Sequence, residues 1–164
     1  VYIEPDVELV DHYGRTLAHL FLANGRHINR EMVHAGLAIS NIHPPNLKYA
    51  EDLQVAQRYA EKKRSGLWQL KAYQVKSVAT ISRMLVKKWG RFDGQIKTIQ
   101  RSKKGTKLYF DKTVYIWLAR RDLKYFQNLN RYKGREIEVR GWPGKRGGQW
   151  SIRVRHPSQI MLKP

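Results

Sequence analysis

The chain has 164 residues, with 32 Lys and Arg against 13 Asp and Glu, a formal net charge of +19, 41% apolar residues and no cysteine. That length sets one domain as the default with room for two small ones, and the apolar share belongs to a folded chain. The composition excludes disulfides, iron–sulfur clusters, thiolate-ligated zinc and a thiol nucleophile, and no stretch approaches the ~18 uninterrupted apolar residues of a membrane span.

The charge is unevenly divided. Residues 1–70 hold eight basic and eight acidic side chains, whereas residues 71–164 hold 24 and five. Five of the six histidines fall in the first part and four of the five tryptophans in the second. Such a break predicts two modules, over 1–70 and 91–164, with a connector over 71–90. A module this basic is drawn to a polyanion, nucleic acid before an anionic membrane surface.

Within the first module, Leu17, Ala18, Leu20, Phe21, Leu22 and Ala23 predict a strand covered on both faces, turning at Asn24-Gly25. Asn29 is placed to cap a short helix over 30–35 that Gly36 stops. After Pro44-Pro45, a longer helix over 46–64 carries Leu47, Ala50, Leu53, Ala56 and Ala60 on one stripe. Gly66 ends it, and Leu67-Trp68 can fold back onto the stripe. His12, His19, His27, His34 and His43 show no H-E-x-x-H or comparable ligand spacing and are read as satisfied or solvated, with no metal site among them. Neither a G-x-S-x-G elbow nor a Walker-type loop is present.

The run Asp11-His12-Tyr13-Gly14-Arg15-Thr16-Leu17-Ala18 resembles the D-x-Y-G-R-x-L-A signature of the staphylococcal-nuclease-like (thermonuclease) family. The sequel resembles it too: Asn29 opening a helix, Gly36-Leu37-Ala38, a long helix, then Gly66-Leu67-Trp68. The match covers residues 1–68. It implies a five-stranded OB-type barrel with three helices, hydrolysing DNA and RNA phosphodiesters with Ca²⁺, in a setting that is often periplasmic or secreted. By the same resemblance Arg15 is the second of two catalytic arginines, and Tyr13 lies beside the nucleotide. The metal-binding aspartates, the general-base glutamate and the first arginine belong ahead of the matched region. Nothing in the resemblance makes Glu4, Asp6 or Glu8 ligands. Where the family often places aromatics, this chain reads Ile39-Ser40-Asn41-Ile42-His43.

The expectation is therefore an incomplete nuclease-type OB barrel with two helices, in a chain that opens on Val1 and is read as trimmed or processed. A missing N-terminal fragment or a second copy would complete that barrel. Ca²⁺ is expected for the complete nuclease domain but not bound by this chain alone, which is expected to be inactive by itself.

Along the connector, Val75, Val78, Ile81, Met84 and Leu85 suggest a short helix, and Lys87-Lys88-Trp89-Gly90 leads onward. Beyond it, strands are predicted over 94–101, 107–110 and 114–119, with a turn over 102–105. Asp122 is placed to cap a helix bearing Leu123, Phe126 and Leu129, stopped by Gly134. Strands over 135–142 and 150–155 form a last hairpin, with Gly144-Lys145-Arg146-Gly147-Gly148 in its turn. Three strands, a helix and two strands are the order of a five-stranded OB-fold barrel. Residues 134–142 and 156–160 also resemble the second, OB-type domain of some bacterial thermonuclease-family proteins.

Alternation places Leu108, Phe110, Val114, Ile116, Leu118, Ile137, Val139, Ile152 and Val154 in the core. The opposite side collects Lys107, Tyr109, Tyr115, Trp117, Arg121, Arg140, Trp142, Arg153 and Arg155. Interleaved rings and cations suit single-stranded DNA or RNA, since rings stack bases and cations track phosphates. Three functions stay open: a nuclease part that binds nucleic acid, a non-catalytic single-strand binder, and a domain for an acidic protein partner.

Overall fold

A computed structural model of the chain describes residues 1–82, 85–86 and 88–164. The chain divides into two compact units, Val1–Lys71 and Ala72–Pro164. The expectations placed on Met84 and Lys87 lie outside the described residues.

In the first unit, strands β1 (Tyr2–Val10) and β2 (Thr16–Phe21) form an antiparallel hairpin, followed by helices α1 (Ile28–His34) and α2 (Ala50–Lys63). β1 and β2 form a two-stranded sheet of their own, with one further bridge from Phe21 to His27. Most of β2 is half-buried rather than covered on both faces, and Tyr2, Ile3, Val7, Leu9 and Val10 of β1 are exposed. Helix α1 starts at Ile28, one residue before the expected cap Asn29. His27 occupies the cap, and the Asn29 side-chain Oδ1 instead accepts the Leu20 N–H from β2 at 2.8 Å. Helix α2 is shorter than its apolar stripe suggests because residues 46–49 are held by β1. Asn46 exchanges two hydrogen bonds with the Glu8 backbone, at 2.7 and 2.9 Å, and the Lys48 N–H donates to Asp6 at 2.9 Å. The Glu4 carboxylate takes the Lys48 ammonium and the Tyr49 hydroxyl. Glu4, Asp6 and Glu8 thus form a rail along β1 that docks this loop.

The second unit contains two sheets. One has the order β5-β6-β7-β10-β9, built from Thr98–Ser102, Gly105–Tyr109, Val114–Ala119, Gln149–Val154 and Pro143–Arg146. The other has the order β11-β8-β4-β3, built from Ile160–Leu162, Glu136–Gly141, Gly90–Gln95 and Val75–Ser77. Strand β10 runs parallel to β7, while β4–β8, β5–β6, β6–β7 and β9–β10 are antiparallel. This pairing is consistent with OB-like topology. No ladder closes the two sheets into a barrel among the described residues.

Every side chain that alternation assigns to the core is at most 4% exposed. Phe92, Ile96, Val78 and Ile81 join them. At about 1.5–3 kcal/mol for each large apolar side chain removed from water, this cluster dominates the stability of the unit. Two elements differ from expectation. Residues 75–77 pair in parallel with β4 instead of opening a helix, and Val78 then turns inward in a 3₁₀ segment. The helix expected after β7 is replaced by two 3₁₀ segments, Arg120–Tyr125 and Leu129–Tyr132; their Leu123 and Leu129, and Phe126 between them, pack against the core. Asp122 does not cap them. It is buried.

Candidate nucleic-acid interface

Ladder register on the β5-β6-β7-β10 sheet defines two rows on the face opposite the core. In one, Gln100, Lys107, Trp117 and Arg153 lie across four strands; in the next, Thr98, Tyr109, Tyr115 and Ser151 do. Lys107 joins the rows, its Nζ 4.4 Å from the Tyr115 ring centroid and 5.6 Å from that of Tyr109. The Tyr109 hydroxyl donates to Gln100 at 3.2 Å. Tyr115 is buried, which corrects its assignment to an open face: Tyr109, 5.4 Å away ring to ring, and Lys107 cover it. Trp117 is half-buried because its ring lies over Gly105, where a Cβ would meet Cη2 at 2.7 Å. Glycine therefore makes the shelf on which this indole rests.

The four arginines expected on this side separate into two environments. Arg121, on the 3₁₀ segment after β7, and Arg153 and Arg155, at the end of β10, converge on Asp122 at 3.9–4.0 Å. Arg140 does not join them. It lies on β8 in the other sheet, buried, with its Nε donating to Glu138 at 2.7 Å. Glu138 also accepts two hydrogen bonds from Arg91, at 2.8 and 2.9 Å. Burial raises the Glu138 proton affinity, but Arg91 and Arg140 outweigh it and hold the carboxyl below its ordinary range. Trp142, between β8 and β9, is 40% exposed. The hairpin expected between 135–142 and 150–155 does not form: β8 belongs to the other sheet, Pro143–Arg146 are themselves strand β9 paired with β10, and the turn narrows to Gly147 and Gly148, both with positive φ.

In the first unit, the Asp11-to-Arg15 run folds as a side-chain-stabilised turn. One Asp11 carboxylate oxygen accepts the Tyr13 and Arg15 N–H groups at 2.9 and 3.0 Å. The other accepts Arg15 Nε at 2.7 Å. The Arg15 guanidinium, foremost, holds the Asp11 carboxyl down at about 2. Arg15 lies 5.2 Å from the Tyr13 ring centroid, and its side chain is 73% exposed. It does not line the cleft of about 290 Å³ bordered by Leu17, His19, Met32, Ile42 and Tyr49.

The donors present do not fit Ca²⁺. No group of three or more His, Asp or Glu able to hold a metal occurs among the described residues. Asp11 is committed to Arg15, Glu4 to Lys48 and Tyr49, and Asp6 to backbone N–H groups. Sequence reasoning missed Gly105 and Asp122. A glycine facing Trp117 across a hairpin was the available signal for the first, but the second was masked by the reading of Asp122 as a helix cap.

Residues 1–70 match the family model described as Staphylococcal nuclease homologue. The thermonuclease of Staphylococcus hyicus is 37% identical over 68 residues, 42% of this chain and 40% of that protein. The thermonuclease of Staphylococcus intermedius is 39% identical over 69 residues, again 42% of this chain and 40% of that protein. An uncharacterized Bacillus anthracis protein is 36% identical over 64 residues, 38% of this chain and 29% of that protein. The match spans about two fifths of the length of the two curated thermonucleases. The signature turn is formed within the stretch on which these comparisons agree, and the N-terminal 70 residues are similar to the staphylococcal nuclease family.

Proposed function

We propose that the chain is a nucleic-acid-binding part of a thermonuclease-like phosphodiesterase, with single-stranded DNA or RNA lying across the β6-β7-β10 face of the second unit. The observation that carries this reading is the row Lys107–Trp117–Arg153. A half-buried indole stands between two cations on a face set apart from the core. A flat ring stacks a base whatever its identity, and flanking cations follow the backbone. Tyr109 extends the platform, Arg121 and Arg155 extend the positive charge, and Trp142 offers a further exposed ring. The covered Tyr115 supports the face rather than touching the strand, and Arg140, engaged by Glu138 on the other sheet, takes no part in it.

In the first unit Arg15 is the residue suited to grip a phosphate as negative charge develops, with Tyr13 beside it. The base and metal-binding carboxylates such hydrolysis requires are not gathered among the described residues. The chain alone is therefore read as binding without cleaving, and the missing groups would come from an additional segment or a second chain.

Fluorescence anisotropy with a single-stranded oligonucleotide of about 12 residues tests the binding role. The logarithm of affinity should fall against log salt with a slope of about −3 to −4, for about five phosphate contacts. A slope near zero overturns the reading. Lys107→Gln should flatten the slope by about 0.7, whereas Trp117→Ala should weaken binding by about fivefold or more at unchanged slope. In parallel, oligonucleotide cleavage with added Ca²⁺ should be absent for the chain alone.

A further inference from the structure

We propose that Arg121, Arg153 and Arg155, gathered round Asp122, form a seat for a phosphomonoester: the terminal phosphate of the bound strand. The proposal deepens the nucleic-acid reading and rests on it for the strand, though not for the phosphate.

Asp122 is 2% exposed, beneath the three guanidinium groups. One of its oxygens lies 3.9 Å from Nε of both Arg121 and Arg155, and the other lies 4.0 Å from Nη2 of Arg153. These separations exceed a hydrogen bond, so a single carboxylate is shared at Coulomb range by three cations. Its Oδ2 is sealed from solvent with no hydrogen-bond partner. Counted together, the four side chains carry two positive charges in excess.

Their exposure is graded. The Arg121 and Arg153 side chains are 67% and 52% exposed, and that of Arg155 is 16% exposed. Two heads therefore open to solvent, a third lies deeper, and an anion beneath holds them together against mutual repulsion. Arg153 registers that repulsion: burial first, then the charges of Arg121 and Arg155, lower its pKa.

A phosphodiester brings one negative charge and two free oxygens. A terminal phosphate brings nearly two charges at neutral pH and three acceptor oxygens. The second matches the excess charge, and its oxygens suit the open forks of Arg121 and Arg153 above the deeper positive charge of Arg155. Position supports it as well. Arg153 neighbours Trp117 in the β7–β10 ladder, so a phosphate held here leaves the adjoining base at the indole and the rest of the strand on the Tyr109 side. The seat thus marks one end of the binding strip and gives the bound strand a polarity.

The test uses the full chain and three matched oligonucleotides, ending in a 5′-phosphate, a 3′-phosphate or hydroxyls alone. One phosphorylated form should bind about 5–10-fold more tightly than the hydroxyl form, and its identity tells which end docks. That ratio should fall to one in Arg121→Gln and in Arg153→Gln. Lys107→Gln should weaken all forms and leave the ratio intact. Inorganic phosphate alone should shift the Nε–H NMR signals of the three arginines more than chloride at equal ionic strength. Equal binding of all three oligonucleotides, or a ratio preserved in both arginine variants, overturns the seat while the strip stands. If no oligonucleotide binds but inorganic phosphate shifts the arginine signals, the nucleic-acid reading falls and the phosphate seat stands.

Discussion

Gly36 and Gly66 interlock at the level of the backbone. The Gly36 carbonyl accepts the Leu67 N–H at 2.8 Å, and a Cβ on Gly66 would fall 2.3 Å from that same carbonyl oxygen. A Cβ on Gly36 would fall 2.3 Å from the Ser65 carbonyl oxygen, and both glycines have positive φ. The ends of α1 and α2 are thereby clamped, each by the absence of a side chain on the other. Trp68, buried immediately beyond, closes the joint.

Because both obstacles are backbone atoms, neither glycine can be replaced by a simple side-chain adjustment. Gly66→Ala should destabilise the first unit by about 2–4 kcal/mol, combining strain at positive φ with displacement of the α1 end. Hydrogen exchange at the amides of α1 and α2 measures this directly. A loss below about 0.5 kcal/mol would show that the joint is loose.

Acid should act on the same unit through a histidine pair. His19 Nδ1 and His27 Nε2 are 3.1 Å apart, so one nitrogen donates and the other accepts. Burial lowers the pKa of both, and in His27 the neighbouring His19 lowers it further. Glu4 and Asp6 on β1, Asp52 on α2, Lys48 and Arg30 are the charged groups that modulate the pair. The folded unit therefore binds fewer protons than the unfolded chain below the ordinary value of 6.5. Stability should be fully present above that value and fall as pH descends toward the lowered folded values. Urea midpoints of the unit across this range should drop for the natural chain and flatten in His19→Gln/His27→Gln, once its own neutral-pH midpoint is subtracted.

The signature turn gives a third expectation. Asp11 is held at about 2, chiefly by its hydrogen bond from Arg15. Its contribution to the turn should persist above the ordinary carboxylate range and disappear as pH falls through about 2. In Arg15→Gln the Asp11 carboxyl signal in a ¹³C NMR titration should move up toward 3.8. An unmoved midpoint would show that the backbone N–H groups, not the guanidinium, hold the carboxylate.

Local rules made much of this legible. Alternation in β6, β7, β8 and β10 separated Leu108, Ile116, Val139 and Ile152 from the opposite face because a sheet buried on one side enforces a period of two. The Asp11-to-Arg15 run was legible because its contacts are all local. Long-range competition hid the rest. Asn29 is a good cap by itself, but the Leu20 N–H across the unit claims its side chain. Asp122 is a good cap too, but the segment after β7 turns tightly to bury Leu123 and Phe126, placing the carboxylate beneath three arginines. Glu4 and Asp6 looked unassigned because their partner, residues 46–49, lies some forty positions away. Arg140 shares an alternation pattern with Arg153 but not a sheet, and sequence spacing cannot distinguish two sheets.

That difference yields the fourth expectation. Arg140 and Arg153 are both basic strand residues, yet substitution should affect different properties. Glu138 is buried and accepts hydrogen bonds from both Arg91 and Arg140, which are themselves little exposed. Removing the shared carboxylate in Glu138→Gln leaves two guanidinium groups with their common counter-charge gone, at a cost of about 3 kcal/mol. Arg140→Gln should cost less, because Arg91 still neutralises Glu138. Neither substitution should change the salt slope of oligonucleotide binding, whereas Arg153→Gln should reduce it by about 0.7 with stability nearly unaltered. Denaturant midpoints and binding slopes measured on the three variants decide the matter. A reduced slope in Arg140→Gln at unchanged stability would return Arg140 to the binding face and detach it from the ion-paired support of β4 and β8.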